Sequence, residues 1–275
     1  MGLRINTNLG SIAAQRALAQ SQRKVDSNLK QLASGDRFSD MSEGSGDFAI
    51  AERLRGQIAG TKAARTNAEN AISFVQIAEG GLNEQNNILI RMRELSVQAA
   101  SDTFGDEERA MLDLEFQQLT EELDRIAQTT QFGSHKLLAG ENKNFEFQVG
   151  AFSGKENIIK YSSNANTTAD ELNVSGLSLE DRSDAREALG DIDEALLALA
   201  ETRAGFGAMQ SRLESASSNN SVQIENLSAA HSRIADTDYA MAASEMFKNQ
   251  ALQQYQIAVL SQANQFPKNV LHLLA

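Results

Sequence analysis

Ile192, Leu199, Phe206, Leu213, Asn220, Leu227 and Ile234 stand seven residues apart, and few folds can use an interval held that long. An α-helix turns once in about 3.6 residues, so a strict period of seven keeps one face aligned only if helices supercoil around each other. The spacing therefore predicts a long helix, starting near Ser183, inside a helical bundle. Asn220 interrupts the apolar series, either as a register-setting device or as a tolerated polar gap. The same interval returns at Val75, Leu82 and Leu89, with Ala78, Met92 and Ala99 on the neighbouring seam. That face extends back through Ile50, Leu54, Ile58, Ala68 and Ile72, so a helix opening at Asp47 should run some fifty residues, roughly 80 Å. Leu112, Phe116, Leu119, Leu123 and Ile126 make a shorter helix of the same kind. Proline occurs once, at Pro267, which leaves such lengths uninterrupted. Gly56, Gly60, Gly80 and Gly81 weaken the long helix locally and read as places of close packing.

Breaks in the pattern divide the chain. SGDRFSDMSEGSGD, with Gly35, Gly44 and Gly46 among Ser and Asp, reads as a joint, and SDTFGDEE as a turn. FEFQVG and ENIIKYS carry alternating or β-branched apolar residues around a Ser-Gly-Lys turn, which predicts a hairpin near 144–162. Residues 162–181 are polar and poor in large side chains, and read as an exposed connection.

The chain ends pose a different problem. Behind a cap at Asp236 or Thr237, apolar residues recur at Met246, Leu252, Val259, Leu260, Phe266, Leu271 and Leu274. Ala242, Ala243, Ala251, Ala258 and Ala263 fill other faces, so apolar surface runs most of the way round. Such a helix is buried on several sides, which a lone chain end cannot supply. The first forty residues offer a partner, with Ile5, Leu9 and Ile12 leading into Leu18, Val25, Leu29 and Leu32. The resulting plan is mainly α. A coiled-coil-like helical rod with a small β-hairpin occupies 45–234, and paired terminal helices occupy 1–44 and 235–275.

Site chemistry is sparse. His135, His231 and His272 lie far apart, no HExxH sequence occurs, and there is no cysteine for a thiolate metal site or a disulfide. Gly205-Phe206-Gly207 falls inside a heptad helix rather than after a strand, so it does not read as a phosphate loop. Asp106, Glu107 and Glu108 complement a helix N-terminus. These readings give no catalytic, metal or cofactor site. Net charge is −12, although residues 1–40 carry six basic and three acidic groups. An acidic middle argues against nucleic acid. No run of about eighteen apolar residues points to membrane insertion, and nothing at the N-terminus reads as a cleaved signal.

Three segments carry a resemblance. The RINTN opening, the ASGDR element closing the first helix and the terminal SQANQFPKNVLHLLA resemble bacterial flagellin, and the likeness covers most of the chain. It implies a structural subunit that polymerises through its ends into the flagellar filament for swimming. Alternatives on the same plan are a hook–filament junction protein or a secreted ligand of an innate immune receptor. It further implies export through the flagellum's own type III channel and an extracellular location. The implied partners are other copies in a homopolymer or mixed filament, an export chaperone, a cap protein, hook–filament junction proteins and a vertebrate innate immune receptor for flagellin. The segment RMRELSVQ is similar to the family stretch used between protofilaments and read by that receptor, which places Arg91, Leu95 and Glu115 at the recognition centre. Taken on residue chemistry alone, that stretch is a rod helix with charge pairs on its outer sides. Flagellins often carry outer domains where this chain has about twenty polar residues, which implies a short form without them.

Overall fold

The computed structural model describes residues 8–38, 44–140, 144–162 and 165–274, leaving out the side chains of 162 and 266–274. Five helices, α1 (Leu9–Ser34), α2 (Ser45–Ala99), α3 (Asp106–Thr129), α4 (Arg182–Ala235) and α5 (Tyr239–Leu274), account for most of them. Two small antiparallel hairpins lie between α3 and α4. They are β1 (Gln131–Phe132) with β2 (His135–Lys136), and β3 (Asn144–Gln148) with β4 (Ile158–Ser162). The fold is mainly α with a hairpin at 144–162, as the periodicity predicts. No described helix is long and apolar enough to cross a membrane.

The chain divides into two compact units. Residues 59–225 form one of them, with a continuous apolar core. On α2 the buried residues Thr61, Ala64, Ala68, Ala71, Val75, Ala78, Leu82, Gln85, Leu89, Met92, Ser96 and Ala99 alternate in steps of three and four, with Phe74 and Leu95 buried beside that row. Ala185, Ala188, Ile192, Ala195, Leu199, Phe206, Met209, Leu213 and Asn220 repeat the rhythm on α4, and Phe116 and Leu123 contribute from α3. This 3-4 alternation is the knobs-into-holes spacing of a supercoiled seam.

Local chemistry ends the helices where the turn residues stand. Glu108 reaches back to accept the Gly105 N–H at 2.8 Å, closing the N-terminus of α3. Arg109 is buried, donating to the carbonyls of Ala99 (3.0 Å) and Ser101 (3.3 Å) and to Asp106 (3.0 Å). One guanidinium thus satisfies carbonyls that the end of α2 leaves open.

Asn220 has a use other than helix register. Its Nδ2 donates to the Val149 carbonyl at 2.9 Å, while Asn67 Nδ2 donates to Gln148 O at 3.2 Å. Two asparagines from different helices thus hold consecutive carbonyls where β3 ends. Phe74 packs against Phe132, Phe145 and Phe147 at centroid separations of 5.9, 4.8 and 5.7 Å. Tyr161 lies on Phe206, and burial pushes its phenol up to about 12.

Residues 165–181 are not the exposed connection their polarity suggests. Ala165, Thr167, Ala169, Leu172, Val174 and Leu179 are buried, and Thr167 N–H donates to Leu138 O at 2.9 Å. Their side chains are small enough to let the backbone pack closely, which a search for large apolar groups passes over.

Gly80 and Gly81 are adjacent on α2 but differ in surroundings. A Cβ on Gly81 would stand 2.6 Å from Thr130 Oγ1 and 2.9 Å from Leu138 Cδ1, while one on Gly80 meets nothing within 4 Å. Alanine is favoured over glycine in a helix by about 1 kcal/mol. Gly80→Ala is therefore expected to raise the thermal midpoint and Gly81→Ala to lower it, as read by circular dichroism melting. A rise in both would show that the Gly81 contact yields freely.

Candidate interaction surfaces

Residues 1–58 and 226–275 make up the other unit, and its interior is unlike that of residues 59–225. Helices α1 and α5 lie antiparallel, with backbones within 8 Å of one another. Their contact follows two heptad seams, Ser11, Ala14, Leu18, Ser21, Val25, Asn28 and Leu32 facing Ala242, Met246, Asn249, Gln253, Gln256, Leu260 and Ala263. Small and amide side chains dominate both rows. Among the described residues of this unit, Val25 is the only buried apolar side chain larger than alanine.

Polar groups stitch the pair together. Asn8 caps α1 by accepting the Ser11 N–H at 3.0 Å, and its Nδ2 donates to Ala263 O at 2.8 Å. Ser11 Oγ donates to Asn264 Oδ1 at 2.8 Å, and Gln253 bonds Gln22. Gly35, in the left-handed conformation at φ 73°, ends α1 with its N–H on Gln31 O. The chain then forms a short bridge to the start of α5, through Arg37 N–H to Ala235 O (2.7 Å) and Thr237 N–H to Gly35 O (2.9 Å). Asp238, rather than Asp236 or Thr237, caps α5, accepting from Ala240 and Met241 N–H at 3.0 and 3.1 Å.

Most of the large apolar side chains point elsewhere. Leu9 is 67% exposed and Leu29 47%, while Tyr239, Met241, Phe247, Leu252, Tyr255, Ile257 and Val259 are exposed along α5. Of the sequence-predicted assembly residues, Val25 is buried in the seam and Leu18, Leu32, Met246 and Leu260 are half-buried on it. Leu9, Leu29, Leu252 and Val259 lie off it on the outside. Ile5 lies outside the described residues, as do the side chains of Phe266, Leu271 and Leu274. The seam itself escapes a scan for apolar residues, because serine, alanine, asparagine and glutamine carry it. Their own three-four spacing was the available signal.

A second surface lies on residues 59–225. Arg91 donates from Nε to Glu115 Oε1 at 2.9 Å and from Nη1 to Glu94 Oε2 at 3.0 Å. The α2–α3 pair Arg91–Glu115 is exposed, whereas Leu95 is fully buried in the core. Of the three sequence-predicted recognition residues, Arg91 and Glu115 are thus the ones at the surface. Ile90, Val97, Met111 and Leu114 are exposed apolar residues on the same two helices. Arg93 donates to Asp193 on α4 at 2.7 Å, and this hydrogen bond holds the Asp193 carboxyl below the usual aspartate range. The described residues contain no group of three or more His, Asp or Glu placed to hold a metal ion.

The fold defines a mainly helical protein whose terminal pair has a seam of small and amide side chains and large apolar residues outside it. The profile of the bacterial flagellin N-terminal helical region matches residues 5–143, and that of the C-terminal helical region matches residues 189–274. A flagellin from Halalkalibacterium halodurans is 40% identical over 273 residues, spanning 98% of this chain and 99% of the relative. The flagellar filament 33 kDa core protein of Treponema phagedenis is 38% identical at the same coverage of each chain. The crystal structure of Bacillus cereus flagellin superposes with a TM-score of 0.51 at 29% identity, covering 60% of this chain and 94% of that one. The chain belongs to the bacterial flagellin family, a family of structural proteins, and is a short form matched in length by these relatives.

Because Arg93 lowers the folded-state pKa of Asp193, the pair stabilises the fold above the ordinary aspartate pKa. That contribution is lost as pH falls through the depressed value. NMR titration is expected to place the Asp193 midpoint below that of an unpaired aspartate, and Arg93→Gln to restore it. An unchanged midpoint in the variant would show the pair to be loose in solution.

Proposed function

We propose that this chain is a repeating subunit of a bacterial flagellar filament, secreted through the flagellum's own export channel and working outside the cell. The observation that carries the reading is the composition of the terminal unit, which buries almost no large apolar side chain and exposes many. So many exposed large apolar side chains on one pair of helices mark surface that other protein covers. Family membership, and the name of the Treponema phagedenis relative, support a filament as the setting.

Mechanism follows from the energetics of the ends. Ordering a residue costs about 1–2 kcal/mol of backbone entropy, which a polar seam of small side chains offsets poorly. Fully burying a Val, Leu, Ile or Phe side chain returns about 1.5–3 kcal/mol. In the single chain those side chains remain in water, so the terminal pair is only weakly stable. When neighbouring ends cover Leu9, Leu29, Leu252 and Val259, folding of the pair and polymerisation become one equilibrium. A heterologous contact repeated without closure gives an open helical polymer. Arg91 and Glu115, with the apolar residues around them, supply a lateral contact between copies. Rotated by a basal motor, that polymer drives swimming.

Val259 is exposed in the single chain, which makes a selective test available. Val259→Asp is expected to leave the melting of residues 59–225 unchanged, because Val259 belongs to the other unit and is exposed there. It should abolish filament growth by seeded full-length protein in electron microscopy, since a charge at a buried contact costs several kcal/mol. Filaments of normal length from this variant would overturn the reading, while caps or rings from the wild type would favour a junction protein.

A further inference from the structure

Sulfur in this chain is confined to methionine, which occurs seven times while cysteine is absent. The five methionines among the described residues have sharply different surroundings. Met92 on α2 and Met209 on α4 are buried in the core of residues 59–225, and Met246 is half-buried on the α1–α5 seam. Met111 on α3 is 70% exposed and Met241 on α5 is 64% exposed, although methionine is a residue type most often found inside. Met111 stands one turn from Leu114 and Glu115 in the exposed patch of α2 and α3, and Met241 is among the exposed apolar residues of α5, with Tyr239 and Phe247. A methionine sulfoxide at either place is a polar acceptor with no proton to give. The residues three and four away from Met111 are Glu107, Glu108, Leu114 and Glu115, and when ionised none of their side chains can donate to it. The Arg91 guanidinium already donates to Glu94 and Glu115. A sulfoxide oxygen on Met111 is therefore satisfied only while water reaches it, and covering it with another chain strips that water away.

We propose that Met111 and Met241 are modification sites for hydroperoxides, through which oxidation of the single chain blocks its assembly. The thioether sulfur attacks one oxygen of the peroxide, an S–O bond forms and the O–O bond breaks. Sulfur is oxidised by two electrons as the peroxide is reduced, and with hydrogen peroxide the other oxygen leaves as water with both protons. The core methionines are spared because the oxidant does not reach them. Each exposed thioether lies on a surface that neighbouring copies cover, so the new acceptor is introduced where a dry apolar contact is needed. The block on assembly rests on the filament reading above; the order of oxidation does not.

The test treats soluble full-length protein with hydrogen peroxide and follows each methionine by peptide mass spectrometry. Met111→Leu combined with Met241→Leu is treated alongside, a double variant that keeps side-chain volume and removes the sulfur. Met111 and Met241 are expected to gain oxygen roughly tenfold or more faster than Met92 and Met209. After the peroxide is removed, growth from seeds by oxidised wild type is expected to fall roughly tenfold or more, as read by sedimentation. The treated double variant should grow as it does untreated, and methionine sulfoxide reductases should restore growth of the oxidised wild type. Equal oxidation of exposed and buried methionines, or unimpaired growth of the oxidised wild type, would overturn the proposal. So would an equal block in the treated double variant, or a block that survives reduction, since either places the damage elsewhere. Treated polymer gives a separate reading: both positions should be shielded there, and their ready oxidation would show that no copy covers them. A chain that oxidises in the stated order but does not polymerise before treatment would overturn the filament reading instead.

Discussion

The seam between α1 and α5 is the contact on which the behaviour of this chain depends. Ser11, Ser21, Asn28, Asn249, Gln253 and Gln256 occupy heptad positions where a self-sufficient coiled coil would place leucine or isoleucine. Such residues allow the backbones to approach closely and give the pair a direction and a register through side-chain hydrogen bonds. They contribute little hydrophobic stabilisation. Leu18, Val25, Leu32 and Leu260 lie on the seam, but most of the large apolar residues of the same helices, Leu9, Leu29, Phe247, Leu252, Tyr255, Ile257 and Val259 among them, are rotated away from it. The pair thus holds itself together weakly, and on the proposed reading it is completed by neighbouring copies.

Residues 59–225 solve the opposite problem. Their seams are filled with Val, Leu, Ile, Met and Phe, and several of the polar exceptions tie helices to loops. Gln85 donates to Leu123 O and Thr167 O, and Arg109 closes the end of α2. This unit has a stabilising core before any neighbour arrives. On the proposed reading, one chain therefore combines a part that folds on its own interactions with a part whose folding waits on neighbouring copies.

Periodicity made most of this fold legible. The series through Ile192 and Leu213 located α4, the series through Val75 and Leu89 located α2, and the alternation around Phe145 and Phe147 located the hairpin. What escaped were features carried by small or polar side chains. Ala165, Thr167 and Ala169 looked like a solvated connection because polarity scales do not register close backbone packing. Asn220 looked like a break in a coiled-coil row because its partner, the Val149 carbonyl, is distant in sequence. On the candidate surfaces, apolar residues at the termini were visible, but their division into seam and exterior was not. Leu29 sits one position from Asn28, and a single step of about 100° on a helix separates inside from outside.

Because the chain has no cysteine, one introduced thiol can report each position separately. The measurement that tests the account most directly is thiol labelling of single-cysteine variants at Leu252, Tyr255 and Val259, with Leu197 as an exposed control. Soluble and sedimented protein are compared. If the outward face of α5 is covered only on assembly, all three terminal positions label readily in solution and become strongly protected in polymer. Equal labelling of those positions in both states would contradict the claim that burying this face drives the subunits together.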